Sequence, residues 1–297
     1  MKRQAPNRAR SSPLLTALDK ELRAVARQEA KLLRPEAGDS PWKSGVENKI
    51  PPKLRQSLES AFCKAFSMVL GPGRRVIEKS YHKNSRLKDY CIRNYAVELK
   101  GERRELRRMH WTVRKNGLRN LVLTTAEGAG LGVLGIGLLD IVLFLGVLLK
   151  GIYETALDYG FDYETPSSQL LICKMMEAAL SHGERQQTLE RQVETLLTES
   201  PQEIRADVLQ AQIQSTASAF ASDMLLLKFV QGLPLIGIMG GMGNPLCYHR
   251  ILRYVQLKYR KRYLLRCRKR CLERMARSGA SYPDPSGKAE SEKKRKG

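Results

Sequence analysis

The sequence predicts an all-α protein, a helical bundle. Three observations carry that reading: apolar residues recur at three- and four-residue spacing, strand-type alternation is nearly absent, and helix start and stop residues punctuate the pattern. Ser12 followed by Pro13 marks a helix start, because proline at the first helical position loses no hydrogen bond. Leu15, Leu18, Leu22 and Val25 follow, predicting an amphipathic helix to about Leu33. The stretch "RPEAGDSPWKSGVENKIPP" has linker composition. A second helix is expected from Pro52, with Leu54, Leu58, Phe62, Phe66 and Val69 on its buried side and "GPG" at 71–73 ending it. A short helix over 74–82 precedes one long, very basic helix from Leu87 to about Thr125.

Beyond Tyr153 the turn "YGFDYETP" leads into "SSQLLICKMMEAALSHG", a helix stopped by Gly183. Helices are expected over 184–199 and over 202–231, the latter capped by Ser200 with Pro201 behind it, and then over Leu246–Arg277. Residues 1–12 are basic with no apolar run behind them, so they read as a disordered start and not as a secretory signal. Residues 278–297 read as a disordered polar tail. One helical domain is therefore expected over 13–277.

The net charge of +22 points to an anionic partner, and it is unevenly spread. Residues 1–150 carry 30 basic and 14 acidic side chains, residues 151–223 carry 4 and 12, and residues 224–297 carry 18 and 4. Six scattered cysteines have no framework spacing and are expected to be reduced thiols of a cytoplasmic protein.

The most unusual stretch is "EGAGLGVLGIGLLDIVLFLGVLLKGIY", Glu127–Tyr153. Gly130, Gly132 and Gly135 have the spacing of a dinucleotide-binding turn, but no βαβ pattern surrounds them. Gly130–Leu149 holds fourteen Leu, Ile, Val or Phe, five Gly and Asp140. For a membrane span the apolar residues contribute roughly −6 kcal/mol, the central Asp costs roughly +3, and the glycines erode the rest. The reading that uses more of the detail is close helix packing. Gly128, Gly132, Gly135 and Gly146 lie on one helical stripe, and a second patch, "GLPLIGIMGGMGNP" at 232–245, repeats the spacing with Gly237, Gly240, Gly241 and Asn244. The two segments are expected to form a buried pair at the centre of the bundle. Asp140 then needs a donor: Asn244, Gln231, or backbone amides where a glycine patch breaks its helix. It is expected to lock the packing, with a ligand site as the alternative.

Motifs for nucleotide binding, zinc proteolysis, serine hydrolysis and calcium are absent from the sequence. No cofactor and no metal are expected. Cys247 and Cys271 on one helix would lie about 36 Å apart at roughly 1.5 Å per residue, which rules out a shared zinc. Glu154, Asp158, Asp162 and Glu164 cluster after the apolar stretch and read as a solvated face, with acid–base work as the alternative. The run "RYVQLKYRKRYLLRCRKR" is the main interaction signal. Arg260, Lys261, Arg262, Arg266, Arg268, Lys269 and Arg270 are the residues that would meet an anionic surface, membrane first and nucleic acid second.

In "TAEGAGLGVLGIGLLDI", "YGFD" at 159–162, "QGLPLIGIMGGMGN" at 231–244 and a following helix with Arg262, the chain resembles the EcsC protein family. "ENKIPPKLRQSLESAF" resembles the family's leading helix, and the likeness runs over roughly residues 20–275. The longer basic tail and "NPLCYHRIL" depart from the pattern. The resemblance implies a bacterial, mostly helical protein working at or near the membrane, with a membrane protein such as a transporter as partner; the expected function is non-enzymatic, in a cytoplasmic protein peripheral to the membrane. The alternatives are an integral two-span protein, an enzyme using Asp140 or Asp158, and a nucleic-acid binder.

Overall fold

A computed structural model describes residues 12–33, 50–128, 138–198, 203–230 and 243–277. Every regular element among them is a helix: α1 (Pro13–Leu32), α2 (Pro52–Leu70), α3 (Arg74–Lys79), α4 (Lys83–Lys100), α5 (Arg103–Gly128), α6 (Leu138–Asp158), α7 (Pro166–Leu180), α8 (Gly183–Thr198), α9 (Ala206–Val230) and α10 (Gly243–Arg277). The all-α prediction holds. Prolines open α1, α2 and α7, and at α7 the Thr165 side chain also accepts the Ser168 amide.

Helices α6 and α10 form the centre. Helix α10 meets α1, α5, α6, α7, α8 and α9, while α6 also packs on α2, α3, α4 and α5. Leu145, Leu148, Leu149, Ile152 and Tyr153 on α6 and Tyr248, Ile251, Leu252, Val255 and Tyr259 on α10 are all buried. At about 25 cal/mol per Å2 of apolar surface, such side chains dominate the driving force for the bundle. Gly151 sets the approach: a Cβ there would lie 2.7 Å from the Tyr248 hydroxyl and 3.4 Å from Leu252 Cδ1. Close approach at a glycine is therefore present on α6, and its partner is a tyrosine.

The structure departs from the sequence reading in several places. The single basic helix expected over Leu87–Thr125 is two helices, α4 and α5, parted at Gly101, whose φ of +61° is a left-handed stop. Helix α9 begins at Ala206, not behind Ser200–Pro201, and α10 begins at Gly243, with Pro245 in its first turn. The paired glycine patches, with Gly132, Gly135, Gln231, Gly237 and Gly241, lie outside the described residues. Asn244 falls in the first turn of α10, but its side chain is outside the described set. Asp140 stands in the first turn of α6, partly buried. There, free backbone amides and the helix macrodipole favour a carboxylate.

Candidate functional site

The "YGFD" turn is where most of the long-range architecture converges. It ends α6 with a left-handed glycine, Gly160 at φ +69°. The amide of Phe161 donates to the Ala156 carbonyl and that of Gly160 to the Leu157 carbonyl, closing the helix end. Arg266 of α10 then holds the turn from outside. Its guanidinium donates to the carbonyls of Gly160 (2.9 Å) and Tyr159 (2.8 Å) and to the Tyr90 hydroxyl (2.9 Å). Arg262 and Arg266 also lie over the Phe161 ring, at 4.5 and 4.1 Å from its centroid.

Tyr159 is fully buried, packs on Tyr263 and bonds His110 Nδ1 at 3.0 Å. Desolvation, with Arg260 and Arg114 adding to it, lowers the His110 pKa from its ordinary 6.5 to about 3. The ring is therefore neutral at physiological pH. Asp162 accepts the amides of Glu164 and Thr165. Its carboxyl pKa stays below the ordinary value because those bonds outweigh the desolvation that acts against them.

Asp158 is buried and fully engaged. It takes Arg86 at 3.0 Å, Arg93 at 3.3 Å and Asn116 at 3.2 Å, while Arg86 also pairs with Glu154 at 2.9 Å. Glu164 sits apart, paired with Lys83 near the surface. The four carboxylates expected to form one solvated cluster are thus divided among three settings, and two of them are buried ion-pair partners. A carboxylate held by two guanidiniums and an amide ties α4, α5 and α6 together.

The basic row of α10 is mostly spent inside the molecule. Lys258, with a side chain 0% exposed, meets Glu29 at 2.7 Å, Glu194 at 2.7 Å and also Glu190, which takes a further bond from the Tyr254 hydroxyl. Lys261 joins Glu29 at 2.8 Å and Glu194 at 2.7 Å. The three carboxylates converge as metal ligands do, but the Lys258 ammonium stands among them. Arg260 pairs with Glu21, which Arg103 also reaches at 2.5 Å. Burial acts to raise the Glu21 pKa, yet these two arginines overcome it and lower it. Arg268 meets Asp19 at 2.9 Å, and Arg270 meets Glu98 at 3.3 Å. Of the seven residues expected to face an anionic surface, six are thereby committed to internal partners, and Lys269 alone is classed as exposed.

A row of outward cations lies on α5, and the sequence reading did not single it out. Arg104, Arg107, Arg108, Arg114 and Lys115 are exposed, with Trp111 65% exposed among them and the Lys115 ammonium 5.8 Å from its ring centroid. Arg104, Arg108, Trp111 and Lys115 recur at spacings of four, three and four, which places them on one helical stripe. Arg107 and Arg108 approach Glu21 and Glu105 at 3.4 and 3.5 Å while staying well exposed. On α4, the other arm of this hairpin, Ile92, Tyr95 and Leu99 form a second exposed stripe, each about two-thirds accessible. The spacing was legible in the sequence.

The EcsC protein family model matches residues 19–264, from the first turns of α1 to the middle of α10. The chain belongs to the EcsC protein family. The EcsC match includes the "YGFD" turn and Arg262, while Arg266, Arg268, Lys269 and Arg270 lie past its end. No curated protein and no solved structure matches the chain. No helix among the described residues is long and apolar enough to cross a membrane.

Proposed function

We propose that this EcsC-family protein is non-enzymatic and attaches peripherally to an anionic membrane face through α5, where it acts on a membrane-embedded partner of the transporter type. The observation that carries the attachment is the outward row of five cations around Trp111. Each basic side chain near an anionic bilayer contributes about 1 kcal/mol. An exposed indole suits the headgroup region, where its apolar ring and its N–H both find partners. The Ile92–Tyr95–Leu99 stripe supplies apolar surface on the neighbouring arm.

The same reading keeps the two glycine-rich segments as a packed pair within the bundle. In its support, the helices flanking them meet: α5 with α6, α6 with α10, and α9 with α10. The role towards a transporter rests on the family resemblance. Fractionation of tagged protein from cells tests the mode of attachment. Release from the membrane pellet by high salt is expected, since screening removes the interaction. Retention through salt and alkaline carbonate, with release only by detergent, would mean an integral protein. Release by nuclease would mean that nucleic acid is the anion.

A further inference from the structure

A cavity of about 280 Å3 opens where the last turns of α1, the middle of α5 and the first half of α10 meet. Its rim carries Lys31, Arg114 and Arg253, all exposed. No carboxylate lines it, and none of these three cations forms an ion pair with another described residue. That contrasts with α10 further along, where Lys258, Arg260, Lys261, Arg268 and Arg270 each hold a carboxylate. The floor adds neutral hydrogen-bonding groups: the partly buried His110 ring, and the buried Gln256 amide and Tyr248 phenol. The buried Tyr248 hydroxyl makes no hydrogen bond to another described residue. Leucines complete the lining.

We propose that this cavity binds a phosphomonoester group. Three cations without an ion-pair partner among the described residues, lining one space, call for a multiply charged anion. A monocarboxylate would leave two of them unmatched, whereas a phosphomonoester near pH 7 carries about −1.5 to −2 and three acceptor oxygens. Arginine forks and a lysine ammonium are the usual complements to such oxygens. The C-terminal end of α1 opposes an anion with a partial charge of only about −0.5, which three full charges outweigh. The volume lies near the lower end of small-molecule sites, roughly 300–1,000 Å3. It therefore admits the phosphate and a small organic part, while acyl chains would have to extend outside. Two sources share this chemistry: a soluble phosphorylated metabolite and a phosphatidate-type lipid headgroup.

Arg114 belongs both to the cavity and to the outer face of α5; Lys31 and Arg253 belong to the cavity alone, which separates the two sites experimentally. Isothermal titration of the full chain with inorganic phosphate, glycerol 3-phosphate and monomeric dihexanoyl phosphatidate, at constant ionic strength in chloride, reads the binding. Saturable binding of at least one of them is expected. Lys31→Gln with Arg253→Gln should weaken it at least tenfold, and Arg104→Glu with Lys115→Glu should leave it within about twofold. Both pairs are exposed and free of ion-pair partners among the described residues, and circular dichroism confirms that the variants fold. Preference for the phosphatidate by tenfold or more over glycerol 3-phosphate identifies a lipid headgroup; equal or better binding of the soluble esters identifies a metabolite. No saturable binding of any of the three, unchanged binding in the Lys31/Arg253 variant, or equal loss in the Arg104/Lys115 variant would each overturn the proposal.

Discussion

Replacing Lys258 with methionine is expected to cost about 3–5 kcal/mol of stability at pH 7, the range for a buried ion-pair network that loses one partner. Methionine preserves the stem and removes the charge. Glu29, Glu190 and Glu194 would then converge with Lys261 as their remaining cation, and Lys261 reaches only Glu29 and Glu194. The pH dependence distinguishes this cause from a packing defect. Burial tends to raise the Glu194 pKa, but Lys258 and Lys261 together hold it below its ordinary 4.5. The native network therefore contributes stability above about pH 4.5 and loses it as pH falls through the lower folded value. Without Lys258 the carboxyls take up protons more readily, so the gap between variant and wild type should narrow from pH 7 to pH 4.5 in urea titrations. Adding Glu190→Gln to the variant should recover part of the loss. A Lys258→Met protein as stable as wild type would show that the three carboxylates do not depend on this lysine.

Gly160→Ala is expected to destabilise by about 2–5 kcal/mol, combining about 1–2 for a left-handed residue with a Cβ and about 1–3 for overpacking. The Cβ would fall 2.2 Å from Tyr90 Cζ. Tyr90 cannot simply swing away, because its hydroxyl takes a bond from Arg266 and its ring packs edge-on to Tyr263. Displacing it loosens the clamp on the "YGFD" turn as well. Gly101→Ala is the internal control. Gly101 has a φ of +61°, but a Cβ there would meet only Leu14, at 3.4 Å, so it should cost little beyond the backbone part. Thermal denaturation of the two variants side by side measures the difference, and equal losses would mean that the Tyr90 contact is not limiting.

Helix existence was legible wherever the deciding chemistry was local: proline starts at α1, α2 and α7, a glycine stop at Gly71, and apolar spacing between them; the stop expected at Gly183 falls earlier, at Ser181, and Gly183 opens α8 instead. The break at Gly101 escaped because apolar spacing continues through Val97, Leu106 and Met109, and one glycine inside a helical pattern is tolerated at about 1 kcal/mol. The α10 cations were misread for a different reason. Whether a lysine is solvated or buried depends on where the acids are, and Glu29 is 229 residues away from Lys258. A charge run in sequence carries no information about such pairing. The α5 face shows the converse: Arg104, Arg114 and Lys115 form no ion pair with another described residue, and Trp111 among them was overlooked as an exposed aromatic. Neither the cavity nor its lack of carboxylates could be read from a sequence whose lining residues come from three distant helices.

The most direct test of the peripheral attachment through α5 is flotation of purified protein with phosphatidylglycerol-containing vesicles, comparing wild type with Arg104→Glu/Lys115→Glu and with Trp111→Ser. Each reversal removes one attraction and adds one repulsion, so the double variant should lose about 4 kcal/mol of membrane partitioning, close to a thousandfold. Trp111→Ser should weaken binding without changing its salt dependence, and neutral phosphatidylcholine vesicles should bind none of the three. Undiminished flotation of the double variant, or wild-type binding that ignores both lipid charge and salt, would contradict the account.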